Sequence, residues 1–185
     1  MFTGIVQAVG KILRTKPLKI DCAGLDLADL AVGDSICVQG VCLTVTATRP
    51  RGFTADVSQE TLRVTTGLDR PGAVNLEKSL ALGGKLGGHL VTGHVDGVGE
   101  VRSRNGTVFA LRAPQPLAKY LAAKGSICVD GVSLTVNRVE GDSFEVNLIP
   151  HTLEVTTLSR LAPGVRVNLE VDLIARYVER MLDVR

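Results

Sequence analysis

Residues 33–45 read GDSICVQGVCLTV and residues 124–136 read KGSICVDGVSLTV. Nine of the thirteen positions are identical, at a separation of 91 residues. A repeat of that period is a small domain written twice rather than a solenoid unit. Each copy reads as a hairpin. Ser-Ile-Cys-Val is a short strand, Gln39-Gly40 or Asp130-Gly131 is the turn, and Val-x-Leu-Thr-Val is the returning strand. In that strand Val41, Leu43 and Val45 share one face, as do Val132, Leu134 and Val136. The other face carries Cys42 and Thr44, or Ser133 and Thr135, and taken alone it reads as small polar residues turned to solvent.

Outward from the hairpin the repeat continues. Thr3 to Lys11 matches Thr92 to Glu100 at an offset of 89. Phe53 and Thr61 to Thr66 match Phe144 and Thr152 to Thr157 at 91, and Asn75-Leu76-Glu77 matches Asn168-Leu169-Glu170 at 93. Each half supplies six short Val-rich segments punctuated by Gly, Pro, Asp and Asn, the rhythm of an antiparallel all-β sandwich or closed barrel. Short helical turns are expected near Ser58–Val64 and His151–Val155. The glycine-rich run 83–88 lacks the order of a phosphate loop and reads as the connection between halves. The expected domains are 1–87, 88–172 and a terminal segment 173–185, where Ile174, Tyr177, Val178, Met181 and Leu182 fall at helical spacing behind Asp172 as N-cap. So short a helix is marginal alone, so its apolar stripe must dock on its own barrel or on neighbouring subunits.

Composition narrows the function. Twenty-one Lys and Arg face nineteen acids with no basic stripe, which gives no reason to expect nucleic acid. No segment approaches the roughly 18 apolar residues of a membrane helix, and the opening MFTGIV lacks the features of a signal peptide, so the cytoplasm is the expected address. The four cysteines form no CxxC pair and read as free thiols, Cys37 and Cys128 as small buried hydrophobes. With no Trp, two Tyr and four Phe, a flat heterocyclic ligand would lie against aliphatic groups, backbone, or a second copy of itself.

The positions where the copies differ are the informative ones. Cys42 stands opposite Ser133, Ile5 opposite His94, and Gln59-Glu60 opposite Pro150-His151, while Asp172 follows only the second Asn-Leu-Glu. His89 and His94, five apart, would face opposite sides of a strand and make a poor metal pair. The residues read as a tandem β-barrel that binds similar small molecules twice, with reactive side chains distributed unequally.

Six stretches in order, MFTGIV, DSICVQGVCLTV, GGHLVTGHVDGVG, KGSICVDGVSLTVN, LIPHTLEVTTL and VNLEVDLIARYVER, resemble the riboflavin synthase family across essentially the whole chain. The resemblance implies two six-stranded Greek-key barrels related by duplication, and a C-terminal helix that joins three subunits. It implies dismutation of two molecules of 6,7-dimethyl-8-ribityllumazine, by transfer of a four-carbon unit, without metal or cofactor. A lumazine synthase shell around the trimer is a further partner it leaves open. By position, it places substrate-binding residues in the first barrel at Gly4, Ile5, Val6, Ser35, Cys42, Leu43, Thr44, Asp56, Val57, Ser58, Gln59, Glu60 and Thr61. In the second they are Gly93, His94, Val95, Lys124, Ser133, Leu134, Thr135, Ile149, Pro150, His151, Thr152, Leu153 and Glu154. The expected catalytic set is His94, Cys42, Ser35, Ser133, Thr135 and Asp172. His94 or a water would take a proton from the acidic 7-methyl group, with Ser133 and Thr135 holding the anion. Addition of Cys42, Ser35 or water would activate the other lumazine, and Asp172 would orient a proton carrier. The alternative is a non-catalytic lumazine- or flavin-binding antenna protein of the same fold.

Overall fold

The computed structural model describes residues 1–183, and these form twelve strands and three α-helices. The first half contains β1 (Ala8–Thr15), β2 (Leu18–Asp21), β3 (Ser35–Val38), β4 (Val41–Arg49), β5 (Gly52–Ala55), α1 (Gln59–Val64) and β6 (Gly72–Lys78). The second contains β7 (Gly97–Asn105), β8 (Val108–Arg112), β9 (Ser126–Val129), β10 (Val132–Glu140), β11 (Ser143–Asn147), α2 (Pro150–Val155) and β12 (Arg166–Val171), followed by α3 (Leu173–Asp183). Residues 184 and 185 of the expected terminal helix lie outside the described residues.

Each half closes into its own antiparallel barrel. The first has the order β1-β2-β5-β4-β3-β6, and the second repeats it with β7 to β12. Three hairpin-linked strands, β3-β4-β5, are joined by β6 returning beside β3, which is a Greek key. Register shifts at Ile12/Arg14 and Val45/Ala47, matched by Val101/Ser103 and Val136/Arg138, bend the long strands so that the sheets close. Alternation fills the interiors: Ile12, Ile20, Ile36, Phe53 and Leu76 in the first, Val101, Phe109, Ile127, Phe144 and Leu169 in the second, all essentially without exposed surface. Burying a side chain of that size contributes about 1.5–3 kcal/mol.

The repeated hairpins meet each other at the seam between the barrels. Gln39-Gly40 and Asp130-Gly131 turn with φ of 52°, 84° and 50°, 83°, the paired left-handed values that a two-residue hairpin turn requires. The two turns touch: a Cβ on Gly40 would lie 2.8 Å from the Gly131 amide nitrogen. Beside them Phe2, Cys37, Val91 and Cys128 form a small apolar cluster between the barrels. Burial raises both thiols well above their ordinary range, as suits the hydrophobic role expected of them. Around the turns runs an amide network that repeats itself by pseudo-twofold symmetry. Asn75 Nδ2 donates to the Asp130 carbonyl at 2.8 Å, and Asn168 Nδ2 donates to the Gln39 carbonyl at 2.9 Å.

The terminal helix docks through its polar side. Asp172 Oδ1 accepts from the Ile174 amide at 2.9 Å, Arg176 pairs with Asp96, and Glu179 meets Lys119 and Tyr120. The apolar stripe, by contrast, is open: Ile174, Tyr177, Val178, Met181 and Leu182 are each at least half exposed. Among the described residues no helix is long and apolar enough to cross a membrane.

Candidate active site

Two Thr-Gly turns bring chemistry to the barrels, and both cross over. Thr3-Gly4-Ile5 runs in front of β1, with Gly4 at φ 73°, and the Gly4 carbonyl accepts the Ser133 amide of β10 at 2.8 Å. Thr92-Gly93-His94 runs in front of β7, with Gly93 at φ 78°, and the Gly93 carbonyl accepts the Cys42 amide of β4 at 2.8 Å. Glycine is required at both points. A Cβ on Gly4 would come 2.6 Å from Ser133 Cβ, and one on Gly93 would come 2.7 Å from Cys42 Cβ. The residues that follow confirm the crossing, because Val6 packs on the second barrel's core and Val95 on the first. The faces of β4 and β10 that carry Cys42 and Ser133 are therefore half covered by the other half's turn, while Thr44 and Thr135, farther along them, are exposed.

Grouping by repeat and grouping in space consequently differ. By repeat, Ile5 and Val6 belong with Cys42, and His94 and Val95 with Ser133. In space Gly93, His94 and Val95 border Cys42, whereas Gly4, Ile5 and Val6 border Ser133. Among the described residues no hydrogen bond joins His94 to Ser133.

Ser133 has another partner. His89 Nδ1 lies 2.7 Å from Ser133 Oγ, and the ring is 9% exposed. The His89 amide donates to the Thr3 carbonyl at 3.1 Å, so the same turn that touches Ser133 also anchors the histidine. Burial lowers the His89 pKa below the ordinary imidazole value, partly opposed by the carboxylate of Asp172. The ring is thus held neutral, with Nε2 buried and without a hydrogen-bond partner among the described residues. Sequence reasoning weighed this residue only as half of a poor metal pair, for two reasons. The HLVTGH segment is no continuous strand but a loop pinned by a single bridge between Phe2 and Val91. His89 also has no counterpart in the first copy, where Met1 aligns with Leu90, so comparing the copies could not single it out.

Each turn is gripped by a buried carboxylate that sequence reasoning also passed over. Glu77 on β6 accepts from the Thr3 amide and hydroxyl, both at 2.7 Å, and from the Gly4 amide at 3.0 Å. Glu170 on β12 accepts from the Thr92 amide and hydroxyl at 2.7 Å and the Gly93 amide at 2.9 Å. Burial nevertheless pushes the Glu77 carboxyl above its ordinary range, against the hydrogen bonds from Thr3, Gly4 and Ile5. The available signal was a glutamate repeated inside an otherwise apolar strand, Asn-Leu-Glu in both copies.

The remaining expected residues ring these centres. Ser35 pairs with Thr44 across β3 and β4, while Leu43 is buried and its mate Leu134 only partly so. Asp56, Ser58, Gln59 and Glu60 are exposed around the start of α1, with Val57 and Thr61 half-buried, and Ser58 Oγ accepts the Thr61 amide at 2.9 Å. Ile149, Pro150, His151 and Glu154 are exposed around α2, with Thr152 and Leu153 half-buried. Asp172 is half-buried and acts on the helix end, as expected of an N-cap, while its charge reaches His89.

Lys124 carries a separate signal. It holds φ 69°, where the first copy has Gly33 at φ 95°. A lysine in the left-handed region costs roughly 1–2 kcal/mol, so its charge is retained there against a backbone preference. Lys124→Gly is expected to raise stability by about 0.5–1 kcal/mol after the glycine's own entropy is counted. The same variant is expected to weaken substrate binding. Urea melts and a steady-state KM check both halves, and a variant neither stabilised nor weaker in binding would remove Lys124 from the site.

A family model for the lumazine binding domain matches the chain twice, at residues 3–79 and 92–172. Riboflavin synthase of Mycobacterium tuberculosis strain H37Rv is 50% identical over 98% of each chain. That of Photobacterium phosphoreum is 45% identical, covering 98% of this chain and 89% of its own, and that of Bacillus subtilis strain 168 is 42% identical, covering 98% and 90%. Among solved structures, LumP complexed with 6,7-dimethyl-8-(1'-D-ribityl) lumazine superposes with a TM-score of 0.79 at 25% identity, covering 92% of this chain and 99% of that one. LumP complexed with riboflavin gives the same TM-score at 26% identity. Two matched domains, the full-length relatives and a shared pair of closed barrels place the chain in the lumazine-binding family of riboflavin synthases.

Proposed function

We propose that the protein catalyses the dismutation of two molecules of 6,7-dimethyl-8-ribityllumazine to riboflavin and 5-amino-6-(D-ribitylamino)uracil. The observation that carries this reading is the pair of equivalent barrel faces bearing unequal chemistry. One presents Cys42 beside the His94 turn, the other Ser133 beside a neutral buried His89. Two like substrates call for two like pockets, and donor and acceptor roles call for different side chains. The atoms balance without an oxidant or reductant: four carbons leave one lumazine and close the third ring of the other.

The main task of such a site is placement, because holding two reactants in register is worth about 7–11 kcal/mol. His89 supplies a neutral base through Ser133 for the acidic 7-methyl proton. Cys42, Ser35 or a water held near the His94 turn supplies a nucleophile that activates the second lumazine. The fold also fits an antenna protein such as LumP, but the sequence is much nearer to the synthases, at 42–50% identity against about 25%.

The domains are read as 1–87 and 88–172, with a helix from 173 that joins three chains in the cytoplasm. The exposed stripe on α3 supports that assembly, since an uncovered apolar face of this size calls for a partner. Incubation with 6,7-dimethyl-8-ribityllumazine alone, followed by riboflavin fluorescence, tests the reaction. Riboflavin must appear, with sedimentation of the same sample at the mass of three chains. Lumazine bound without product would make the protein an antenna, and a monomer making riboflavin would remove the trimer.

A further inference from the structure

We infer that Glu77 and Glu170 are a crossed pair of positioning residues, each setting the reacting groups that stand against the opposite barrel. This rests on the riboflavin synthase activity proposed above. Glu170 belongs to the second barrel, and its three hydrogen bonds fix Thr92 and Gly93. That turn leaves its own barrel at once: Gly93 accepts from the Cys42 amide, Val95 packs on the first barrel's core, and His94 lies between them. Glu77 in the first barrel fixes Thr3 and Gly4, and these hold the Ser133 amide and the His89 amide by their carbonyls. The Cys42–His94 group therefore hangs on Glu170, and the Ser133–His89 group on Glu77.

The chemistry of the grip argues for more than stapling. Both carboxylates are almost fully buried, and among the described residues neither belongs to an ion pair. A buried charge with no cation is a costly way to hold a loop, and a backbone bridge such as Phe2 to Val91 does that job nearby. A carboxylate, however, accepts three donors on two oxygens and so sets the direction as well as the place of a turn whose glycine has little preference of its own. A displacement of about 1 Å at the reacting groups costs on the order of a hundredfold in rate.

The glutamine variants separate these roles. Glutamine keeps the size but turns an N–H group toward the glycine amide. In Glu170→Gln and Glu77→Gln we expect kcat per riboflavin-binding site to fall roughly thirtyfold or more, with riboflavin affinity held within about threefold. In amide NMR spectra, Glu170→Gln should move the Cys42 resonance and Glu77→Gln the Ser133 resonance, each across the seam. Thr92→Val and Thr3→Val, which delete only the hydroxyl donor, should give the same pattern with about a tenfold loss. They decide the matter if the glutamine variants do not fold. Unchanged kcat per binding site, loss only in step with the number of binding sites, or resonance shifts confined to the mutated barrel would each overturn the inference. A wild-type chain that makes no riboflavin would overturn the activity instead, so the two failures are distinguishable.

Discussion

Replacing His89 by alanine lowers turnover by about a hundredfold while leaving the fold and product binding largely intact; that is the expected result for a base worth roughly 10²–10⁴ in rate. The expectation follows from its placement. The imidazole is buried, its pKa is depressed by that burial, and Nδ1 sits 2.7 Å from Ser133 Oγ. A neutral ring in that position can receive a proton through the hydroxyl without first losing one to water. Ser133→Ala should cost a similar factor, and the double variant little more than either alone, because the two act as a unit. The sign of the pH effect is also set. The working base is the neutral ring, so kcat falls as pH drops through its lowered pKa, and that acid limb lies below the ordinary imidazole range and vanishes in His89→Ala. Single-turnover rates from pH 5 to 8 check this. A variant that keeps the acid limb would show that another group carries the proton.

The barrels are legible in the amino-acid sequence because their code is local. Alternating apolar residues, two-residue Gly turns and a second copy of every strand leave few other ways to bury the surface, and the β1–β6 order recurs as β7–β12. The crossing is not legible there. A repeat assigns Ile5 to the first half and His94 to the second, and nothing in either tripeptide states which barrel it will touch. What encodes the crossing is a glycine in each copy whose missing Cβ admits the other barrel's Cys42 or Ser133, and that fact exists only in three dimensions. Likewise, the apolar pattern of α3 calls for a docked stripe without saying whether its own barrel or a neighbouring subunit covers it; within the chain it is the polar side that docks, through Arg176 and Glu179, and the apolar side stays exposed. Glu77 and Glu170 are visible as letters but not as clamps, since the donors they accept lie more than 70 residues away.

Asp130→Asn is expected to stabilise the protein strongly at alkaline pH and hardly at all in mild acid. Asp130 is 2% exposed at the seam, in a left-handed turn position, and its Oδ1 accepts the Asn168 amide at 2.8 Å. Burial raises its pKa to about 7, the hydrogen bond from Asn168 opposing only part of the effect. Arg70, Arg160 and Arg166 line the same cleft but are exposed, and water screens their pull. Unfolded, the carboxyl releases its proton near 3.9. Between about pH 4 and 7 the native state therefore binds more protons than the unfolded chain, and stability declines as pH rises through that window. The full loss above it is roughly 4 kcal/mol, an upper bound that relaxation of the seam will reduce. Asparagine keeps the oxygen acceptor, tolerates the left-handed backbone and forms the preferred Asn-Gly turn, but never ionises. The variant should melt several degrees above the parent at pH 8, at about 2–4 °C per kcal/mol, and close to it at about pH 4. A gain independent of pH would mean that the charge is not what the seam resists. The first barrel already supports the argument, because the neutral Gln39 occupies the equivalent turn and accepts the Asn75 amide at 2.9 Å with no charge at all.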